Sequence, residues 1–391
     1  MDEVESGICA ILRGEAKGWN PGTGITVPRF LAAARYHDVL PLLDAALRRS
    51  EVVGLPAELR EACRDARRAQ AVFELAHRAE MIRVFDALAA AGATALVLKG
   101  TALAYNLYPN PALRPRGDTD LLIPEALRGV TDRVLDQLGY RQCEGAEGDL
   151  IHYESTWERA DPSGLFHVLD IHWRINNSQV LSRLLEHDEL AARAVALPAL
   201  GPHARALSPV DALLFACIHR AGHAHAPVYV DGVPHHGIDR LIWLFDIHLL
   251  LPRLTAPELE AFVNRARERR MKAICRDALS RAQERFATVI PPGAMDALAA
   301  LDPDSRVEPS SRFLCGGRFR LMVDNAVAMR SWRERLAWLG QIAMPSAAHM
   351  RRKYPDAASA WLPLLYLRRA TAGFARLFKR DAATPEAETT R

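Results

Sequence analysis

Strand-like segments are confined to one part of an otherwise helical chain, and this confinement restricts the fold more than any other sequence feature. Residues 29–50 and 57–91 carry apolar side chains at three- and four-residue intervals, which predicts helices. From residue 95 the pattern changes to ALVLKG, an apolar run closed by glycine, which is typical of a buried strand that ends in a tight turn. Further strands are predicted at DTDLLI and over 139–143, 150–157 and 165–175. The expected fold class is therefore α+β, with a mixed sheet and flanking helices.

The length and composition fit a soluble protein with more than one domain. The 391 residues are 49% hydrophobic and 25% charged, which is close to the average of folded globular chains. We expect four parts along the chain, with the helical pattern resuming after the strand-rich segment. These parts are a helical N-terminal region at 1–93, a strand-containing unit at 94–176, a helical C-terminal region at 177–380 and a disordered tail at 381–391.

The charge balance, the cysteines and the N-terminal residues indicate which binding partner and which cellular location to expect. The 50 basic and 47 acidic residues give a formal net charge of only +3, which argues against a long nucleic acid as the partner. The six cysteines form no CxxC pair, so we interpret them as reduced thiols. The first residues are acidic where a signal peptide requires basic ones, and no run of about 20 apolar residues predicts a transmembrane segment. A cytoplasmic location is expected.

Three aspartates are candidates for metal binding. Asp118 and Asp120 are two residues apart on a predicted strand, so both carboxylates point to one face. Asp170 lies in LFHVLDIHWRI, an otherwise apolar strand in which an uncompensated carboxylate would be costly to bury. A divalent cation would compensate this charge. The alternative is that Asp170 forms a salt bridge to Arg174 or an inward hydrogen bond.

Basic and glycine residues near these acids are candidates for binding phosphate. Lys99, Gly100 and Thr101 stand at a strand-to-helix junction, where free backbone N–H groups can approach phosphate oxygens. Arg114 and Arg116 precede Asp118 in a loop, where guanidinium groups could pair with a triphosphate. Ordinary turn and surface positions are the alternative for all five residues.

Three segments in a fixed order resemble a known family. LVLKGTALAYNLYP, RPRGDTDLLI and LDIHWRI are similar to the uncharacterised bacterial nucleotidyltransferases of the DNA polymerase β-type superfamily. The resemblance implies a polymerase β-like palm that binds an NTP with Mg²⁺ or Mn²⁺. It also implies transfer of an NMP group to a hydroxyl-bearing acceptor, which could be a small molecule, peptide or protein, with release of pyrophosphate.

The resemblance also implies roles for individual residues. Asp118, Asp120 and Asp170 match the metal-binding carboxylates, and Gly100 with Thr101 matches the phosphate-binding turn, although Thr101 stands where serine or glycine is usual. Lys99, Arg116 and Arg174 are expected to assist electrostatically. The alternative function is an inactive nucleotide-binding, antitoxin-like or scaffold protein with the same fold, although all three carboxylates are retained.

Two further segments have alternative interpretations. The segment 219–236 is rich in histidine, and His219 and His223 have the i,i+4 spacing that lets two imidazoles share a metal. The preferred interpretation is that His219 is a helix residue that lines a substrate cleft. Residues 361–380 are apolar and basic without an acid, as in a helix on a membrane surface. For this segment we prefer a terminal helix packed on the domain.

Overall fold

The computed structural model describes residues 3–19, 25–50, 52–143, 150–223, 228–230, 233–235, 239–300, 307–315, 317–357 and 361–378. The tail predicted at 381–391 lies outside these residues. The N-terminal region is helical and contains α1 (Glu3–Arg13), α2 (Val27–Tyr36), α3 (Leu40–Arg49) and α4 (Ala57–Ala90). The helix predicted at 29–50 is divided in two because the chain turns at Asp38, which has a φ of 55°.

A seven-stranded mixed sheet forms the centre of the chain. Its strands are β1 (Leu96–Val97), β2 (Thr119–Leu122), β3 (Arg141–Gln142), β4 (Glu154–Ala160), β5 (Phe166–His172), β6 (Val195–Ala196) and β7 (Arg205–Ala206). They are ordered β3-β4-β5-β2-β1-β7-β6 across the sheet. The β2–β5 and β1–β7 pairs are parallel and the other pairs antiparallel. The predicted mixed sheet with flanking helices is therefore confirmed.

The sheet continues beyond the predicted boundary at residue 176. Strands β6 and β7 belong to the range 177–380, for which the sequence predicts helices. Each has two residues, which is too short to produce the alternating pattern by which strands are recognised. A second correction concerns the loop predicted at 222–237, where β8 (Val228–Val230) and β9 (Val233–His235) form an antiparallel pair.

Helices pack on the sheet and hold it in place. Helix α5 (Lys99–Asn106) follows β1, and α6 (Arg128–Gln137) follows β2. The apolar side chains of α4 form one buried cluster with those of the central strands, among them Phe85, Leu121 and Leu169. Because β-strand side chains alternate, burying Leu121 and Leu169 in this cluster directs their polar neighbours to the opposite face of the sheet.

The C-terminal region is helical apart from the short strands. It contains α7 (His187–Arg193), α8 (Pro209–His223), α9 (Leu241–Leu250), α10 (Ala256–Glu268), α11 (Lys272–Phe286), α12 (Ala294–Ala299), α13 (Arg312–Cys315), α14 (Arg318–Ala328), α15 (Trp332–Ala343), α16 (Ala347–Lys353) and α17 (Leu362–Phe378). Helix α9 is apolar on nearly all sides and is buried, as its composition requires. It shares a large core with α8, α11 and the N-terminal helices α1–α3.

No helix in the described ranges combines the length and the apolar composition that crossing a bilayer requires.

Candidate active site

Two carboxylates meet on neighbouring parallel strands. The register of β2 and β5 places Asp120 directly beside Asp170, and Thr156 of β4 lies beside Asp170 on its other side. Asp118 immediately precedes β2 and is exposed to solvent, whereas Asp120 is buried. Thr119, between them, faces the opposite way and bonds to a buried histidine, His77. The sheet therefore presents Asp120 and Asp170 on the face opposite the buried Leu121 and Leu169.

Asp120 is held by a lysine and a histidine. The Lys99 ammonium donates to Oδ1 of Asp120 at 2.5 Å, and Nε2 of His172 lies 2.9 Å from the same oxygen. The other ring nitrogen of His172, Nδ1, lies 3.2 Å from Oε2 of Glu154. Burial acts to raise the pKa of Asp120, but the charge of Lys99 and the hydrogen bond with His172 outweigh it and lower that pKa. Asp120 is therefore ionised.

The other two aspartates experience the opposite shift. Removal of water by the surrounding protein, together with the negative charge of Asp120, raises the pKa of Asp118 to about 7, even though part of the residue is exposed. Burial and the same neighbouring charge raise the pKa of Asp170, whose Oδ1 accepts a hydrogen bond from Thr156 at 2.7 Å. Three carboxyl groups thus compete for too little positive charge, which is the electrostatic setting that favours a divalent cation.

The donor atoms are close enough to share one ion. A carboxylate oxygen from each of Asp120 and Asp170 and a ring nitrogen of His172 all lie within 4.8 Å of one another. Carboxylate oxygens are the donors that suit Mg²⁺ or Mn²⁺, whereas an imidazole nitrogen is a more usual ligand of transition metals such as Zn²⁺. Asp118 is outside this triad, although its carboxyl group is close enough to be influenced by the charges of Asp120 and Asp170.

Lys99 adopts an unusual backbone conformation at the edge of the site. Its φ of 44° lies in the left-handed region, which residues other than glycine rarely adopt. The turn is fixed to β2, because the Leu98 N–H donates to the Asp120 carbonyl oxygen at 2.9 Å. Lys99 also begins α5, whose first N–H groups have no partner inside the helix. The predicted phosphate-binding turn therefore adjoins the carboxylates.

Thr101 and Arg116 lie beneath this turn. The Arg116 guanidinium pairs with both carboxylate oxygens of Glu74, at 2.6 and 3.0 Å, and its Nε donates to the Thr101 hydroxyl at 2.7 Å. Thr101 is also hydrogen-bonded to Thr119, and both threonines are buried. These side chains support the turn from inside the protein. Their role in phosphate binding stays a prediction. The missing side chain of Gly100 permits this packing, since a Cβ there would lie 3.3–3.4 Å from the neighbouring arginines.

Two other predicted arginines have partners outside the carboxylate cluster. Arg114 is buried and forms a forked ion pair with Asp246 of α9, with its Nη2 2.8 Å from Oδ2. Arg174 stacks on the Tyr153 ring at 4.3 Å and faces Glu125 at 3.8 Å. Among the described residues, Arg174 therefore forms no salt bridge with Asp170, which was one of the predicted alternatives.

A cavity of about 230 Å³ opens beside Lys99 between α5, α8 and α9. Its lining is mainly apolar, with polar groups from Lys99, the Arg114–Asp246 pair and His219. The rings of His219 and His223 are 4.6 Å apart and both pack on Trp243. The structure thus places His219 on a cleft wall, as predicted.

The zinc site considered as an alternative would need a further ligand beside these two histidines. Among the side chains described, neither His219 nor His223 belongs to a group with the spacing of metal ligands. Burial lowers the pKa of both imidazoles, that of His223 to about 4, so both are neutral at physiological pH.

Sequence reasoning missed three residues of the site. His172 contacts Asp120 across the β2–β5 pair, and Thr156 donates to Asp170 from β4. Glu154, also on β4, contacts His172 rather than an aspartate. His172 could have been identified from the sequence, since it follows Asp170 by two positions on one strand and therefore points to the same face. Glu154 and Thr156 carry no comparable signal, because their position depends on strand register.

Comparison with known proteins finds one matching family. No curated protein matches the chain. A family model described as "Uncharacterised nucleotidyltransferase" matches residues 23–287, which include the whole sheet, the carboxylate cluster and the helices around the cavity. A match over this range supports nucleotidyl transfer as the general kind of reaction. By fold, site and family match, the chain belongs to this family of uncharacterised nucleotidyltransferases.

Proposed function

We propose that this protein is a metal-dependent nucleotidyltransferase that transfers an NMP group from an NTP to a hydroxyl-bearing acceptor and releases pyrophosphate. The observation that carries the proposal is the in-register pairing of Asp120 with Asp170, with Asp118 two residues before Asp120. The sequence does not identify the acceptor, which could be a small molecule, a peptide or a protein.

The residues present fit a divalent cation. Asp118, Asp120 and Asp170 would hold Mg²⁺ or Mn²⁺, with His172 as a neighbouring nitrogen donor. When bound, the cation supplies positive charge that stabilises the phosphates and favours ionisation of the attacking hydroxyl.

Residues of the turn before α5 would bind the phosphates. Lys99 carries a positive charge beside Asp120. Burial acts to lower the pKa of Lys99, but the neighbouring carboxylates outweigh this effect and raise it. The first N–H groups of α5, at Lys99 and Gly100, carry the partial positive charge of a helix N-terminus. Arg116 and Thr101 would act indirectly, as positioning residues that hold this turn.

Asp170 would accept the proton in the transfer step. The acceptor oxygen attacks the α-phosphorus, the bond from that phosphorus to the oxygen bridging to the β-phosphate breaks, and the hydroxyl proton moves to Asp170. A raised pKa makes Asp170 a better base than an ordinary carboxylate, provided that it is ionised when the acceptor binds. The cavity beside Lys99 would receive an apolar part of one substrate, since its lining is mainly apolar.

A labelling experiment tests the proposal. Purified protein is incubated with each α-³²P-labelled NTP, Mg²⁺ or Mn²⁺ and a cell extract as the source of acceptors, beside Asp120→Asn and, as a matched control, Asp188→Asn at an exposed position. We expect label to enter an acceptor with the wild type and Asp188→Asn, and not with Asp120→Asn. Metal-dependent NTP binding without transfer would favour the inactive nucleotide-binding alternative, and absence of both would refute the proposal.

A further inference from the structure

Helices α14 and α15 expose apolar side chains on one face each. On α14, Phe319 and Val327 are separated by two turns and are both exposed. On α15, Trp332, Leu336 and Leu339 follow the i, i+4, i+7 spacing of a single helix face, and Trp332 is 64% exposed. Side chains at this spacing would ordinarily be buried, so each face lacks the packing that its pattern predicts.

The start of α17 has the same property. Trp361, just before the helix, is 72% exposed, and Leu364 and Leu367 are 54% and 62% exposed at three-residue spacing. We call the exposed apolar faces of α14, α15 and α17 the C-terminal apolar surface. It lies outside residues 23–287, which the family model matches, so the family does not account for it.

This exposure does not result from a lack of folding. The opposite faces of the same helices are packed, since Leu321 of α14, Trp338 of α15 and Leu365 of α17 are all buried. Leu365 belongs to a small core with Met350 and Tyr354. The helices therefore bury one apolar face within the protein and present a second one to the solvent.

The same segment concentrates positive charge. Residues 312–380 contain 14 of the 50 basic residues and only 3 of the 47 acidic residues, a net charge of +11. The remainder of the chain has a net charge of −8, so the small total of +3 conceals a strong separation of charge. The acids in the segment are themselves paired with arginines, as in Arg312–Asp324 and Arg368–Asp356.

We propose that the C-terminal apolar surface binds the surface of an anionic membrane. Exposed apolar faces flanked by arginine and lysine match both parts of such a membrane, since apolar side chains enter the acyl boundary while basic ones attract acidic headgroups. Trp332 and Trp361 carry the side chain that favours the membrane–water interface. A nucleic acid would match the charge but not the aliphatic Leu336 and Leu364.

Helices α14 and α15, which carry part of this surface, contact the segments next to strands β4 and β5. The Asn325 side chain of α14 accepts hydrogen bonds from the Ser178 hydroxyl at 2.7 Å and from the Val180 N–H at 3.2 Å. The Gln341 side chain of α15 accepts one from the Leu150 N–H at 3.1 Å. These partners belong to the segments that lead into β4 and out of β5. Membrane binding would therefore bring the strands that carry the site close to the bilayer, whichever reaction the site performs.

Vesicle co-sedimentation tests the proposal. The full chain is mixed with vesicles of phosphatidylcholine alone or of phosphatidylcholine with one third phosphatidylglycerol. The test variant is Trp332→Ser/Leu336→Ser/Leu364→Ser, and the control is Leu75→Ser, which removes an equally exposed apolar side chain from α4. Because all four positions are exposed, thermal unfolding monitored by circular dichroism should show that both variants fold like the wild type.

We expect the wild type and Leu75→Ser to sediment with the anionic vesicles only, and the triple variant to bind at least about tenfold more weakly. Binding should also weaken as salt increases, because salt screens the basic residues. Failure of the wild type to bind anionic vesicles, or equal binding by the triple variant, would overturn the proposal. So would a dimer in solution that the triple variant abolishes, or preferential capture of an RNA oligonucleotide over the vesicles.

Discussion

The ammonium nitrogen of Lys99 lies 2.5 Å from Oδ1 of Asp120, and Lys99 reaches it from a backbone conformation with a φ of 44°. A strained residue persists only where its surroundings determine its conformation, and such residues are frequent at functional sites. Here the surroundings are the buried carboxylate of Asp120 and the hydrogen bond from Leu98 to β2. The ion pair thus joins the predicted phosphate-binding turn to the predicted metal-binding strand.

Replacing Lys99 with methionine should weaken both nucleotide binding and stability. Lys99→Met keeps the length of the side chain but removes the charge that compensates Asp120, so we expect NTP affinity to fall at least about tenfold and the free energy of unfolding to fall by about 2 kcal/mol. Isothermal titration and urea denaturation measure the two quantities. Lys17→Met, at an exposed lysine, should change neither. Unaltered NTP affinity in Lys99→Met would show that Lys99 is structural only.

Neutralising Asp120 or Asp170 should abolish transfer while the fold remains. Asp120→Asn and Asp170→Asn keep the shape of the side chain and remove a metal-binding charge, for which we expect a loss of at least about 10²-fold in the rate of transfer. The rate is followed by release of labelled pyrophosphate or by labelling of the acceptor. Asp188→Asn serves as the matched control because Asp188 is 99% exposed. Wild-type rates in either active-site variant would remove that residue from the proposed mechanism.

Coupling between Arg114 and Asp246 should be measurable by a double-mutant cycle. The pair is buried and also receives the Tyr108 hydroxyl on Oδ1 of Asp246 at 2.6 Å, so removing one charge leaves the other unpaired. We expect Arg114→Met and Asp246→Leu each to lower the free energy of unfolding by about 3–5 kcal/mol, and the double variant to lose less than the sum. Urea denaturation provides all four values. Additive losses would contradict the coupling.

The buried imidazole of His223 should make stability depend on pH. Burial lowers its pKa to about 4, whereas the unfolded chain titrates near 6.5, so between these pH values only the unfolded chain binds the proton. The free energy of unfolding should therefore fall as the pH decreases through this window, by up to roughly 3 kcal/mol from His223 alone.

Replacing His223 with leucine tests this pH dependence. Its Nδ1 has no hydrogen-bond partner among the described residues, so His223→Leu should cost little stability at pH 8 and should reduce the loss between pH 8 and pH 5. His203→Leu, at a half-exposed histidine, should leave the pH profile as in the wild type. Identical profiles for wild type and His223→Leu would exclude His223 as the source. Urea denaturation across the pH range supplies these measurements.

Local sequence patterns predicted much of the secondary structure. The helix expected at 57–91 is α4, Ala57–Ala90, because three- and four-residue spacing of apolar side chains is a property of one segment alone. The alternation of DTDLLI likewise identified β2, and the apolar run around Asp170 identified β5. The breaks between α2 and α3 and between α10 and α11 were not predicted. They occur at residues with positive φ, Asp38 and Arg270, which carry no glycine signal.

By itself, the sequence determined the fold class and marked three aspartates as candidate metal ligands, since strand periodicity and the cost of burying a carboxylate are local properties. Only the tertiary structure decided which groups meet. Strand register brought Asp170 beside Asp120 and added His172 and Thr156. Long-range packing turned Arg116 inward to Glu74, a residue 42 positions away. An arginine has the same local pattern whether it faces a substrate or a buried glutamate, so its partner depends on the folded chain.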